Sequence, residues 1–466
     1  MTLSIYKNDY YRTANLFICF AAIIWAIIND KAFQTGTFGS ALLFLVFNAL
    51  CSFLSRQTFY SWPVIIIRGS GVFRYIIVAL AAFKDGVYTF PDDNWIVYLE
   101  MMAIYFAIFL FDVRHQSRAD NTTVAYEAFN INDDNIKSSN QRGVIITAIL
   151  IVTGAYVITH REILSLYFSL STNKASVVFA NGLIALLVNL FFLIIYIKAF
   201  LYFQRLGLPE WIIIILQIAI SIFYINGSSI NSDNVSRWSM LITGLLAYVY
   251  LVRFHPKYKK VLLIGLLVIL IFAVFFGSMI KFSRLGNQDY MEMNSTVNSL
   301  FSYKNLNAYF AGPTNIHVGI EMVKSVHKNG PSPLLMSISD FFNNFPLLNR
   351  ILNLQDYASH IIFNRIYYGS SIAVDQILPL SCQLYNFFNI GFIIPEAGIV
   401  YFALTQNNKI KTEKNMLLTF CKVYLVASLS LVNCLNMTVM LQGVWLQVLP
   451  AFLVYWINRT LVIKGD

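Results

Sequence analysis

Cations placed where apolar segments meet water are the residues of this chain best suited to chemistry. The segment SDNVSRWSM puts Arg237 at the mouth of one apolar stretch, and GSMIKFSRLGN puts Lys281 and Arg284 at the end of the next. Consecutive antiparallel helices with a short connection are usually neighbours, so these cations can face one another. Two or three cations converging at head-group level are what a diphosphate needs. Arginine suits it best, because its planar fork holds two phosphate oxygens at once. The plainer reading is interfacial anchoring of two helices. Further on, NRIYYGSS sets Arg365 beside Tyr367 and Tyr368, and aromatics next to polar groups suit stacking on sugar rings. His360 and Asp375 flank that cluster and His317 and Glu321 precede it; any of them can take a proton from a hydroxyl nucleophile, or be an ordinary loop residue.

A second set lies within apolar segments, where charge is costly and usually functional. SWPVIIIRGSGVFRYIIVALAAF holds Arg68 and Arg74 with Gly69 and Gly71 between them, and the next apolar segment carries Glu100 about 8 Å below its outer end. Two readings stand side by side. The arginines line a polar cavity for an anionic lipid head, or one forms a structural pair with Glu100 while the other reaches for the interface. Lys422, five residues into its segment, reaches the interface by its long stem. Asp92 and Asp93 read as a solvated turn, since a metal would want a third carboxylate nearby in sequence. GxxxxGK[ST], HExxH and GxSxG are all missing, which argues against a cytoplasmic ATP-driven engine.

The elements that must position these residues are membrane helices. The chain has 466 residues, 58% hydrophobic and only 12% charged. An ordinary soluble domain is about a quarter charged. Apolar blocks repeat from end to end, which predicts an all-α polytopic membrane protein. Twelve spans are expected near 14–29, 38–54, 62–83, 95–111, 143–159, 176–197, 211–228, 238–252, 261–280, 387–404, 417–434 and 438–457. Three regions follow: 1–280 with nine spans, a large outer loop with short helices over 281–386, and three spans over 387–466. With the N-terminus inside, eighteen Lys and Arg fall in inside connections and five in the short outside ones, which sets both termini in the cytoplasm. The first span reads as an uncleaved anchor. The net charge of +10 is that of cytoplasmic loops; without a Lys/Arg run or basic-aromatic cluster it does not indicate nucleic acid. The five cysteines show neither a disulfide framework nor a metal spacing.

SRWSMLITGLLAYVYL, the arginine after the next span, and the loop exit QILPLSCQLYNFFNIGFIIPEAGIVYFAL together resemble bacterial O-antigen polymerases of the Wzy type. The exit pattern of that family is a Pro, a Gln-type residue, aromatics, then Phe-Gly and a further Gly; Pro379, Gln383, Tyr385, Phe388 and Gly391 fit, while Asn389 stands where the first glycine belongs. The resemblance covers nearly the whole length and implies a glycosyltransferase on the periplasmic face of the bacterial inner membrane. Its partners would be undecaprenyl-diphosphate-linked oligosaccharides and membrane lipid, with a chain-length regulator left open. It implies no cofactor and no metal, with Arg237, Arg284 and Arg365 on the diphosphate, His360 or Asp375 as base, and Arg68, Arg74 and Lys281 as secondary contacts. An O-antigen ligase shares the layout. A flippase would show short loops and two related halves. A membrane acyltransferase would want a histidine and an acid near the cytoplasmic side, where His115 and His255 lie.

Overall fold

The computed structural model describes residues 37–54, 61–86, 94–116, 143–168, 182–228, 230–231, 234–235, 237–265, 302–345, 348–368 and 377–463. In chain order the helices are α1 (Thr37–Leu54), α2 (Trp62–Gly71, a π-helical Val72–Ile77, then Val78–Lys84), α3 (Asn94–Gln116), α4 (Val144–Thr159), α5 (Arg161–Phe168), α6 (Gly182–Gln204) and α7 (Glu210–Ser228). A small antiparallel ladder follows, β1 (Ile230–Asn231) on β2 (Asn234–Val235), with Ile230 opposite Val235. Next come α8 (Arg237–Phe254), α9 (Tyr303–Phe310), α10 (Pro313–Asn329), α11 (Pro333–Phe342), α12 (Leu348–Leu352) and α13 (Ser359–Tyr368). The chain closes with α14 (Leu380–Phe388), α15 (Ile393–Thr412), α16 (Met416–Ser430) and α17 (Met437–Gly443, a π-helical Val444–Val448, then Leu449–Ile463).

Among the described residues six helices are long and apolar enough to cross a membrane: Trp62–Ala82, Trp95–His115, Ile184–Gln204, Glu210–Ser228, Leu380–Thr412 and Met437–Thr460. Gly39–Ser52, Ile145–Thr159, Ser239–Phe254 and Met416–Ser430 are apolar but shorter. The architecture is that of an all-helical, membrane-embedded protein. In hydrocarbon every backbone N–H and C=O must find its partner within the chain, and a helix achieves this locally. The expected first span (14–29) and nearly all of the ninth (261–280) lie outside the described residues.

The chain divides into two compact units. The first holds residues 1–123, 293–405 and 429–441. There α1 packs by aromatic rings: Phe44 lies 5.5 Å from Tyr75 and 6.2 Å from Tyr105, and Phe47 stacks on Tyr105 at 5.7 Å. Gly71 permits this approach, since a Cβ there would sit 2.5 Å from the Phe44 ring. The polar stretch folds onto α2. Phe310 stacks on Phe73 at 4.6 Å, Leu306 packs with Val78 and Ala81, and Tyr303 donates its backbone N–H to Asp85. Helices α10 and α11 open on Pro313 and Pro333, which lack the N–H that a first turn leaves unpaired. The second unit holds residues 124–292, 406–428 and 442–466. Its middle is a ladder of buried rings, with Tyr196 stacked on Tyr224 at 4.7 Å and on Tyr250 at 6.0 Å. The Tyr250 hydroxyl donates to the Met416 carbonyl, and the buried Arg253 donates to the Ile410 carbonyl and to the Thr419 hydroxyl.

Helix α14 ends at Asn389, where φ is 52° and ψ is −137°. A short 3-10 turn, Asn389–Phe392, then leads into α15. A positive φ suits glycine, and with ψ at −137° this backbone lies outside the left-handed α region in which asparagine is common. The place where the polymerase pattern calls for glycine is thus a place where the backbone calls for it. Asn389→Gly is expected to leave the melting temperature in detergent unchanged or raised. Asn389→Val is expected to cost about 1–2 kcal/mol; equal stability of the two would refute the strain.

Candidate functional site

The helical body of the first unit encloses a charged cluster built on the π-helical turn of α2. Neighbours on an α-helix project about 100° apart, yet Arg74 and Tyr75 both reach Glu100 of α3. Both lie in the π-helical turn, and such turns are frequent at functional sites. Arg74 Nη2 donates to Glu100 Oε1 at 2.8 Å and Oε2 at 3.0 Å, while the Tyr75 hydroxyl donates to Oε2 at 2.6 Å. Arg74 Nη1 donates to the Asn433 carbonyl at 2.6 Å, and the Asn433 amide donates back to the Ile67 carbonyl at 2.9 Å. Arg74, Glu100 and Asn433 are buried. Of the two readings of Arg74, its guanidinium is committed to the structural pair. Arg68 goes elsewhere, its Nε donating to Asn48 Oδ1 of α1 at 2.5 Å. The two arginines therefore have separate polar partners.

A second network lies in the polar stretch and was not legible beforehand. Ser332 caps α11 by accepting from the Leu335 N–H, and the buried face of that helix is Met336, Ser339 and Asp340. Asp340 meets the start of α13: Oδ1 accepts the Ser359 N–H at 2.9 Å and Oδ2 accepts the Ser359 hydroxyl at 2.5 Å. Ser359 Oγ accepts from Gln383 Nε2 at 2.8 Å, and Gln383 Oε1 accepts the Met437 N–H at 2.6 Å. One chain of hydrogen bonds thus joins α11, α13, α14 and the start of α17. Burial pushes the Asp340 carboxyl up to about 7, against the Ser359 donors that favour its ionised form. A carboxyl near neutrality matches the pKa of a general base, but both of its oxygens are engaged by Ser359. The predicted base His360 is the next residue and is buried, and burial pushes its imidazole down to about 4. Its Nδ1 has no hydrogen-bond partner among the described residues.

Arg365 follows on α13 and is exposed, and Tyr367 and Tyr368 end that helix. Arg237 is the first residue of α8, in the second unit. Lys281, Arg284 and Asp375 lie outside the described residues, as do Asp92 and Asp93. Glu321 pairs with Lys324 at 2.8 Å, and that bond holds its carboxyl below the usual range. Lys422, expected to reach the interface by its long stem, is ion-paired with Glu413, just past the end of α15. In the second unit His255 does meet an acid, Glu210, at 3.1 Å from Nδ1. Its Nε2 lies 2.9 Å from Gln217 Oε1 and 2.8 Å from Gln204 Nε2. Both ring nitrogens are occupied, so this pair offers no free base to a substrate hydroxyl. Comparison with protein-family models, curated proteins and solved structures finds no match for the chain.

Two measurements test these networks. Breaking the buried ion pair with Arg74→Ala is expected to cost about 3–5 kcal/mol, and replacing Arg74 and Glu100 together by Met and Leu to cost distinctly less. Equal losses would refute the pairing. For Asp340, the carboxyl rises from 3.8 unfolded to about 7 folded. Its contribution is full below pH 4 and is lost as pH rises through about 7. At 1.36 kcal/mol per pH unit that is on the order of 4 kcal/mol. His360 works in the opposite sense, its contribution being lost as pH falls from 6.5 through about 4. The stability of Asp340→Asn relative to the parent is therefore expected to climb between pH 4 and 7 in unfolding titrations. A flat difference would show that Asp340 is not held near neutrality.

Proposed function

We propose that this chain is an oligosaccharide repeat-unit polymerase of the Wzy type, working in the bacterial inner membrane. In this reading twelve spans cross the bilayer, both termini are cytoplasmic, and residues 281–386 form a periplasmic loop. The acceptor is one lipid-linked repeat unit and the donor a growing chain on undecaprenyl diphosphate. An acceptor hydroxyl attacks the donor's anomeric carbon and loses its proton to a base. The bond from that carbon to the diphosphate oxygen breaks, and undecaprenyl diphosphate leaves with the electron pair. Arginines stabilise the charge on the leaving group, in a role that a metal otherwise fills.

The observation that carries this reading is Asn389. The one departure from the loop-exit pattern falls on a backbone that glycine prefers, with φ 52° and ψ −137°. Two further facts support it. Gln383 of the same exit segment fastens Ser359 of the polar stretch to the turn before α17. The polar stretch itself folds into helices docked on α2, as an active-site cover would. Arg237, Arg284 and Arg365 are assigned to the diphosphate, with Lys281 and Arg68 as secondary contacts and Tyr367 and Tyr368 on the sugar. Arg74, committed to Glu100, braces the site and does not bind substrate. His360 or Asp375 takes the proton of the acceptor hydroxyl. Surface polysaccharide from a strain lacking the protein should collapse from a ladder to core plus one repeat unit. Alanine at both Arg237 and Arg284 should do the same while the protein is still made. Loss of all added sugar would point to a ligase or flippase instead, and an unchanged ladder would reject the family.

A further inference from the structure

The cluster around Arg74 contains one charged group that the pair with Glu100 leaves over. Glu396 of α15 is fully buried, and neither of its carboxylate oxygens has a hydrogen-bond donor among the described residues. It lies within electrostatic reach of Glu100 and Arg74. That guanidinium is already engaged: its Nη1 and Nη2 hydrogen bonds go to the Asn433 carbonyl and to Glu100, and its Nε has no partner among the described residues. Among the described residues, the other titratable groups facing the cluster bring no further cation. The Tyr75 hydroxyl donates to Glu100, the Cys382 thiol donates to the Ile316 carbonyl, and Cys434 is a buried free thiol. A bare carboxylate without donors in a dry interior is among the costliest states a side chain can take. It calls for a cation of its own. A metal ion would need several oxygen ligands, and the described residues contain no group of three His, Cys, Asp or Glu that could hold one.

We infer that Glu396 is a proton-binding site inside the helical body of the first unit, beside the Arg74–Glu100 pair. The carboxylate takes a proton from hydronium, leaving water, and returns it by the reverse step. The cluster is neutral when the proton is on and carries one negative charge when it is off. In the second state Glu396 competes with Glu100 for Arg74, at the π-helical turn of α2 where the helix is already irregular. The site stands apart from the polymerase reading, because it rests only on the charge balance of this cluster.

Infrared difference spectra of the full-length protein in lipid nanodiscs, between acid and alkaline buffer, test it directly. In an Asp340→Asn background, which removes the other carboxyl held near neutrality, the expected result is a carbonyl band of a protonated carboxyl that fades as pH rises. It should shift in D2O, be lost in Glu396→Gln and persist in the exposed-site control Glu321→Gln. A band retained in Glu396→Gln overturns the proposal, and so does one that follows sodium concentration at fixed pH. Should Glu396→Gln fail to fold, hydrophobic carbodiimide on the parent protein supplies the answer, since it modifies protonated carboxyls in apolar surroundings. Mass spectrometry should then find severalfold more adduct at Glu396 as pH falls; absence of that adduct overturns the assignment.

Discussion

A guanidinium with no water around it must be surrounded by acceptors, and that demand shapes the first unit. Arg74 meets it at Nη1 and Nη2 by drawing on two other parts of the chain, Glu100 of α3 and the Asn433 carbonyl between α16 and α17, while its Nε has no partner among the described residues. The distances are short because charged partners in a low dielectric pull tightly. Replacing one partner alone strands the other charge, so the three segments are fixed as a set. The aromatic packing of Phe44 on Tyr75 then follows, since Tyr75 is already held by Glu100.

The second unit solves a similar problem with less charge. Its rings at Tyr196, Tyr224 and Tyr250 are stacked, the Tyr196 hydroxyl pairs with Ser221, and the Tyr250 hydroxyl donates to the Met416 carbonyl. Among the described residues of this unit the buried guanidinium is that of Arg253, met by a carbonyl and a hydroxyl. His255 sits among two glutamines and a glutamate, filling hydrogen-bond positions that a catalytic histidine would keep open.

Some of this was legible from the chain alone, and the boundary has a physical cause. The apolar blocks at 62–83, 95–111 and 211–228 appear as long helices because hydrocarbon imposes one period on every span. The pairing of Arg74 with Glu100 was open to view, since two opposite charges at similar depth in successive segments have few other partners. Asp340 was not. Its significance depends on Ser359, 19 positions away along the chain, and on Gln383, a further 24 beyond Ser359, which only the packing of α11, α13 and α14 brings near. One sign was present: an aspartate on the same face as Met336 and Ser339 interrupts the apolar side of an amphipathic helix. His360 misled in the opposite direction, because a histidine in a polar loop reads as accessible, whereas α13 turns it inward.

The bend at Asn389 also bears on bilayer thickness. The apolar stretch Leu380–Thr412 has 33 residues. As one straight rod it would be about 50 Å long, against about 30 Å of hydrocarbon. The break leaves α15, with 20 residues, to match the hydrocarbon alone. Hydrophobic mismatch is then absorbed at a joint and not by tilting or stretching a rigid helix. Such a chain can keep α14 in register with the polar stretch while the thickness of the surrounding lipid varies.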